Sequence, residues 1–566
     1  MTYSIGNTIW VLLGALLVFF MQAGFAMVEV GFTRAKNSGN IIMKNLLDFS
    51  IAAPIFWLVG FGLMFGKGNG FIGWFDLFTG YDYKSILPEG VPFFAFFIFQ
   101  TVFCGTAATI VSGAMAERTK FVAYCIYSII ISLLIYPIAG HWIWGGGWLS
   151  QLGFHDFAGS TAVHMVGGVA GFVGAKIIGA RIGKYSAKGE SNAIAGQSLT
   201  LGALGVFILW FCWFGFNGCS TLGMDTDEKL VLAGKIFVNT NLAAAVSTCT
   251  AMLITWKRYG KPDVSMSLNG TLAGLVAITA GCDAVKPGNA VIIGFLAGIT
   301  IVIAVELIDN KLKVDDPVGA VSVHGVCGAL GTILTGLFST TDGLFYTGSF
   351  KFLGVQCLGV LTVAAWVGVI MSVCFFVIKR TIGLRVTREE EMEGLDVAEH
   401  GIQKDFNIPY MYELKDNGVS EKSQVPIEDA VTVEMNQNSI YEYAASQTKL
   451  TKIEIIMKQA KFEELKDAMN KIGVTGMTVT NVMGCGMQKG AYEYYRGVPM
   501  EMNLLPKIKV EIVIAKVPVL DVINAAKKAL YTGHIGDGKI FVYDVENVMK
   551  VRTGETGYDA MQGAEE

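Results

Sequence analysis

Eleven mostly apolar runs fill the first two thirds of the chain, at 8–32, 43–66, 93–115, 121–143, 160–181, 197–217, 231–255, 265–282, 289–309, 318–338 and 354–379. Each is near the roughly 20 residues that a helix needs to cross a bilayer core about 30 Å thick. Residues 1–381 therefore read as an α-helical polytopic membrane domain with eleven transmembrane helices. From 450 the pattern changes. LTKIEIIMK alternates as a strand does, and AKFEELKDAMNKIG has the period of an amphipathic helix. GMTVTNVMG and LLPKIKVEIVIAK are two more strands, PVLDVINAAKKAL a second helix and KIFVYDVENV a last strand. The order βαββαβ predicts an α+β domain of ferredoxin-like arrangement over 450–557, followed by a tail at 558–566. Residues 382–449 form a tail and linker, of which 402–449 is rich in Asn, Gln, Ser, Asp and Glu without periodicity.

Charge sharpens this division. Residues 1–381 hold 22 Lys+Arg and 18 Asp+Glu, and residues 382–566 hold 21 and 29. The second part is thus a soluble, acidic appendix, and neither part has the basic surface or motifs of a nucleic-acid binder. Lys and Arg cluster in alternate loops, at Arg34/Lys36/Lys44, Arg118/Lys120, Arg181/Lys184/Lys188, Lys257/Arg258/Lys261 and Lys311/Lys313. The positive-inside rule places those loops in the cytoplasm, the N-terminus outside and the appendix inside the cell membrane. The N-terminal run has no basic residue before Arg34 and reads as an uncleaved first helix. Ten scattered cysteines include no CxxC pair, so they read as small buried hydrophobes.

Two histidines lie near the middle of their apolar runs, His164 in the fifth and His324 in the tenth. Equivalent positions in two five-helix halves fit an inverted repeat with its site at the midplane. Ionisable residues at such depth are costly and point to function. The two imidazoles either pair across the repeat or bond backbone carbonyls separately. Aromatic clusters flank them: Phe99 and Phe103, Trp142/Trp144/Trp148, and Trp213/Phe214/Phe216. Such rings can attract a small cation or form an interfacial belt. Glycine pairs such as Gly167/Gly171, Gly270/Gly274 and Gly325/Gly328 permit close helix packing. The sequence offers no nucleophile–base pair or metal cluster, so an enzyme is not expected.

Taken together, GFTRAKN, GAMAER, IWGGGWL, DFAGSTAVH, WFGFN, VDDP, VHGVCG and GLRV…EGLDVAEHG resemble the ammonium transporter family (Amt/Mep/Rh) over residues 5–401. The resemblance implies an eleven-helix protomer in a homotrimer, with one pore in each protomer. It implies an external ammonium-recruitment site at Phe99, Phe103, Trp144 and Ser220, and a hydrophobic gate at Phe103 and Phe216. His164 and His324 match the twin pore histidines, and Asp156 a structural acid that caps a helix near them. Glu29, where some members carry an aromatic residue, reads as a buried, hydrogen-bonded carboxyl. The expected mechanism is ion recruitment, deprotonation, and separate passage of NH3 and H+.

TGMTVTNVMGCGMQKG, YRG…NLLPK, YTGHIGDGKIF and KVRTGE resemble the P-II signal-transduction proteins over about 450–557. These are trimers that bind ATP or ADP between subunits. The resemblance implies nucleotide binding by Thr478, Gly486, Gln488, Gly536, Asp537, Gly538, Lys539, Lys550 and Arg552. It implies 2-oxoglutarate binding by Gln488, Lys489, Gly490 and Lys507, with Mg2+ held through Gln488 and the nucleotide. Arg496 matches a loop-tip arginine that plugs a transporter pore, here an intramolecular contact. Lys550 stands where an arginine is usual, and Met500 where some members carry a modified tyrosine. The combined reading is an ammonium transporter regulated in cis by its own P-II domain through ATP/ADP and 2-oxoglutarate. The alternative is an ammonium sensor that signals through that domain without significant flux.

Overall fold

The computed structural model describes residues 2–402, 450–458, 461–474, 476–484, 493–495, 498–500, 505–531 and 537–561. It divides into a helical unit and a smaller α+β unit. Gly486, Gln488, Lys489, Gly490, Arg496, Gly536 and most of the linker lie outside the described residues.

The helical segments follow the expected order. Among the described residues, ten are long and apolar enough to cross a membrane: Ile5–Phe32, Ala35–Phe65, Phe93–Ala114, Phe121–Gln151, Ser160–Ile178, Leu199–Thr221, Asp227–Tyr259, Pro287–Lys311, Val321–Phe338 and Phe350–Thr381. The eighth expected span is instead a 15-residue helix, Val264–Ile278. It stops early because the chain turns there to meet the loop ahead of the fifth helix. The carbonyls of Ala280 and Thr279 accept from Phe157 N at 3.0 Å and Ala158 N at 3.2 Å. Ser4, Ser198, Thr226, Asp263 and Ser349 each cap a helix start with a side-chain oxygen, satisfying donors that the first turn leaves open. Wide π turns follow Pro54 at Phe56–Gly60 and precede Pro137 at Ile131–Ile135, where a ring removes one rung of the ladder.

The fifth and tenth helices cross backbone on backbone. A methyl group added at Gly168 would stand 2.1 Å from Gly325 N and 2.4 Å from Gly325 Cα. One turn further along, Gly328 admits the Ser160 carbonyl and Gly331 the Ala277 carbonyl, where a methyl group would come within 2.5 and 2.1 Å of them. Such contacts replace the hydrophobic drive that lipid does not supply.

In the smaller unit, β1 (Thr451–Met457), β2 (Thr478–Gly484), β5 (Leu505–Ile514) and β6 (Lys539–Asp544) form an antiparallel sheet of order β2-β5-β1-β6. Helices Phe462–Lys471 and Val519–Leu530 complete the expected βαββαβ succession. Alternate residues Ile453, Ile455 and Met457 of β1 meet Ile508, Val510 and Ile512 of β5, and Leu465, Met469, Val522 and Ala526 cover them from the helices. Two three-residue strands, β3 (Glu493–Tyr495) and β4 (Val498–Met500), pair as a separate ribbon in the segment between β2 and β5, where the sequence pattern predicts no strand. Tyr494, Tyr495 and Val498 are β-formers whose local preference the polar composition masked.

Replacing Gly168 by Ala is expected to force the two crossing helices apart, destabilising the protein by about 1–3 kcal/mol. Thermal unfolding of the purified protein beside the Gly171→Ala control, whose nearest neighbour is a side chain at 3.0 Å, checks this.

Candidate functional site

The helices that carry His164 and His324 start in the same way. Asp156 accepts Gly159 N (3.0 Å) and Ser160 N (2.9 Å) on Oδ1, and Thr161 N and Ala162 N (both 2.8 Å) on Oδ2. Asp316 accepts Gly319 N (3.0 Å) and Ala320 N (3.1 Å) on Oδ1, and Val321 N (2.8 Å) on Oδ2. Each aspartate stands three residues before a glycine of positive φ, 115° at Gly159 and 83° at Gly319. In both cases the histidine follows the aspartate at +8. Each histidine lies in a π turn, Ser160–Met165 or Val321–Val326, the kind of local widening that often marks a functional site. The repeat Asp-x-x-Gly-x4-His was written twice in the sequence, and Asp316 is its overlooked second half.

With the helices crossing at Gly168 and Gly325, the two imidazoles meet. Their Nδ1 atoms are 3.2 Å apart, and the rings lie 5.2 Å between centroids at 23°. Of the two arrangements left open by the sequence, the paired one is found. A single proton shared between the Nδ1 atoms makes one ring the donor and the other the acceptor. His164 Nε2 is buried with no hydrogen-bond partner, which costs about 1–3 kcal/mol unless something binds there.

From His164 a line of aromatic rings runs outward from the pair. His164 stacks on Phe216 at 5.2 Å and 28°, Phe216 meets Phe103 tilted by 36° at 4.3 Å, and Phe103 touches Phe99 at 4.8 Å and the edge of Trp144 at 6.2 Å. The Trp144 indole donates to the Asp156 carbonyl (2.7 Å), which ties this end to the helix cap. Ser220 sits one turn past Phe216, and its hydroxyl donates to the Phe216 carbonyl (2.7 Å). That leaves the Ser220 oxygen lone pairs for a further donor. Two rings without an assigned role belong to the same set. Trp213 stacks on His164 at 4.9 Å and 18°, held by its indole N–H to Thr279 Oγ1 (2.9 Å), and Phe25 flanks His324 at 5.9 Å. Sequence reading had singled out the Trp213 cluster but gave Trp213 no partner. Beyond His324 lies a small cavity whose lining includes Phe25, Glu29 and Asn269. Glu29 is buried, and its Oε2 accepts from Ser112 Oγ (3.0 Å), as expected.

A buried charge cluster lies at the Arg34 end of this route. Arg181 bonds Glu117 (2.7 Å) and both Asp315 oxygens (2.8 and 2.9 Å), Arg34 pairs with Glu117, and Arg118 donates to the Asp315 carbonyl (2.7 Å). Glu117 holds φ 72°, a conformation that costs a non-glycine residue energy and that the ion pairs enforce. Burial alone would raise the Asp315 carboxyl, yet Arg181 and Arg118 hold it well below the usual range. The segment 382–402 laces onto this cluster. Glu391 accepts Ile182 N (2.7 Å) and Arg385 Nη2 (2.7 Å), Asp396 caps the second helix at Gly39 and Asn40, and Glu399 accepts Phe121 N (3.3 Å).

In the smaller unit, Lys507, Asp537, Gly538 and Lys539 gather at one end of the sheet, where Lys539 pairs with Ile456 and Ile508 with Met457. Gly538 has φ 135°, and a methyl group there would stand 2.5 Å from the Ile456 carbonyl. Lys458 Nζ lies 3.5 Å from Asp537. Thr478 does not join them. It opens β2 opposite Glu511, four residues along β5 from Lys507. Lys550 pairs with Glu555 (3.3 Å) in the turn after β6, and Arg552 is exposed in the same turn.

The fold and this line of rings and histidines define a multi-pass membrane protein with an intramembrane polar site. Residues 9–405 match the Ammonium Transporter Family and residues 450–555 the nitrogen regulatory protein P-II. The chain belongs to the ammonium transporter family and carries a P-II domain in the same polypeptide. It is 44% identical to ammonium transporter Amt2 of Archaeoglobus fulgidus over 418 residues, covering 69% of this chain and 86% of that protein. Among solved structures it is similar to one titled Sensor Amt Protein, with TM-score 0.66 and 42% identity over 70% of this chain and 98% of that one. It is also similar to Mep2 of Candida albicans, with TM-score 0.64 and 30% identity over 71% and 90%.

A pH effect follows from His155, next to the Asp156 cap. Burial disfavours its charged form, but the hydrogen bond (3.0 Å) and charge of Asp283 outweigh this and raise its pKa. The stabilisation is complete below 6.5, the ordinary imidazole value, and is lost as pH rises through the raised one. Thermal unfolding across pH 5.5–8.5 should show this decline in the wild type but not in His155→Gln. Separately, Asp316→Ala should cost about 0.5–2 kcal/mol through its lost cap, measurable in the same assay.

Proposed function

We propose that the chain recruits NH4+ at Phe99, Phe103, Trp144 and Ser220, and passes NH3 and H+ separately through His164 and His324. The observation that carries this reading is the unbroken ring contact Trp144–Phe103–Phe216–His164–His324. Ring faces and the Ser220 oxygen hold a small cation at one end. Phe103 and Phe216, their rings 4.3 Å apart and tilted by 36°, then form a gate where an intact ion would lose its hydration shell at several kcal/mol per hydrogen bond. Neutral ammonia is the species such a gate admits. Beyond it, His164 Nε2 offers ammonia its missing hydrogen bond, and the shared Nδ1–Nδ1 proton provides a route for H+. Asp156 and Asp316 act as caps that fix both imidazoles, not as ligands.

The P-II domain, on the cytoplasmic side, regulates this pore from the same chain, where tethering raises its effective concentration to about millimolar. Nucleotide and 2-oxoglutarate, with Mg2+, bind at the Lys507/Asp537/Gly538/Lys539 end of the sheet. The separation of Thr478 from that end within one copy supports a cleft completed by a neighbouring copy, and hence a homotrimer. Exposed Val542 and Tyr543 of β6, each 47% accessible, offer apolar surface for such an assembly. A contact path for control runs from Glu391 through Ile182 and Arg181 to Asp315, beside the Asp316 cap of the His324 helix. ADP favours block, and ATP with 2-oxoglutarate favours release.

The second reading, a sensor with little flux, is favoured by the 42% identity to the structure titled Sensor Amt Protein. NH4+ jumps on proteoliposomes in solid-supported membrane electrophysiology separate the two. The proposal expects a current that ADP suppresses and ATP with 2-oxoglutarate restores, and that His324→Ala deprives of its NH4+ selectivity. No current in any ligand state, with ammonium-dependent change in the P-II domain, favours the sensor.

A further inference from the structure

We propose that Glu29 is the station beyond the histidine pair at which ammonia and its proton rejoin. This rests on the reading of His164 and His324 as a relay for a proton travelling apart from ammonia. The first helix turns Phe25, Val28 and Glu29 towards one cavity, and His324 and Asn269 line it from other helices. Phe25 flanks the His324 ring at 5.9 Å, and Glu29 lies one turn further along the same helix. The rest of the lining is apolar or glycine, so the polar side chains of the cavity are Glu29, Asn269 and His324. Of these, His324 and Glu29 exchange protons and Asn269 does not. Glu29 is thus the next protonatable group on the cavity's wall after the histidines.

A purely structural role for Glu29 would be met at lower cost by an uncharged side chain. Its hydrogen bonds come from the Ser112 hydroxyl and the Asn45 side chain, and an amide oxygen would accept both equally well. A carboxyl at this depth carries a penalty that an ability to hold a proton and a negative charge would offset. The charged groups facing it are Lys44 and Asp48 of the second helix. Lys44 Nζ donates to the Thr119 carbonyl (3.2 Å), and Asp48 accepts from Ser128 (3.4 Å). Neither lines the cavity, and Glu29 does.

The step balances. The proton removed from NH4+ at the mouth passes through the histidine pair to the Glu29 carboxylate, forming its O–H bond. NH3 reaching the cavity takes that proton on its lone pair, so an O–H bond breaks and an N–H bond forms. Glu29 returns to carboxylate, the counter-charge for the new NH4+ until it leaves towards the Arg34 end of the helix. One charge moves for each ammonia.

The test uses the full chain in liposomes, with ammonium-jump current and lumen pH recorded together. In Glu29→Gln the current should fall about tenfold or more while NH3 alone still enters and alkalinises the lumen. Glu29→Asp should keep much of the current. Wild-type current in Glu29→Gln beside a His324→Ala variant that has lost its selective current overturns the Glu29 assignment and leaves the relay standing. Retained selective current in His324→Ala overturns the relay itself. Equal loss of current and ammonia entry in folded Glu29→Gln also overturns the assignment, by making Glu29 a determinant of pore shape. If Glu29→Gln does not fold, Ser112→Ala removes one of the carboxyl's two hydrogen bonds and leaves the carboxyl in place. A displaced pH profile of current then supports the proposal, and an unchanged profile overturns it.

Discussion

The histidine pair depends on two helices that touch at their glycines. Where Gly168 meets Gly325, no side chain separates the backbones, and this contact sets the distance between two histidines that stand four residues before Gly168 and one before Gly325. Larger residues would widen the crossing by roughly the size of a methyl group, and an Nδ1–Nδ1 separation of 3.2 Å would be lost. The caps at Asp156 and Asp316 fix the same rings from the other end, by taking up the free N–H groups of both helix starts. Crossing, caps and π turns together leave little freedom to the imidazoles. The site is therefore positioned by rigid helices, and its polar atoms sit in surroundings where each unmade hydrogen bond is costly.

The same helix ends connect the histidine pair to the rest of the unit. Asp315 precedes the Asp316 cap and is bound by Arg181, while Ile182, next along, donates to Glu391 of the segment after the last span. A shift of that segment would thus reach the start of the His324 helix through directly bonded groups. A contact path alone is not coupling. Here it ends on a cap whose four-residue spacing to the π turn leaves few alternative arrangements, which is the kind of element that an attached regulatory domain can bias.

Much of this was legible in the sequence because its signals are local. Span lengths, the βαββαβ succession and the depth of His164 and His324 follow from periodicity alone. The role of Asp156 came from resemblance, and its partner Asp316 was missed even though the Asp-x-x-Gly-x4-His spacing recurs. What stayed hidden depends on long-range register. Gly167 and Gly168 are neighbours in one glycine pair, and only the crossing shows which one meets Gly325. The shortening of the eighth span arises from carbonyls drawn to Phe157 and Ala158, more than 100 positions away. The distance of Thr478 from Lys507 appears only once β2 is registered against β5. The cavity shared by Glu29 and His324 needs the first, third, eighth and tenth helices packed together.

The central claim is that ammonia and its proton travel separately and arrive together. It is tested most directly by the charge moved per ammonia translocated, from integrated current and labelled-nitrogen uptake in the same liposomes. The account predicts one elementary charge per nitrogen, unchanged as the ammonium gradient is varied. Uptake with no net charge would contradict it, by making the pore a passage for neutral ammonia alone.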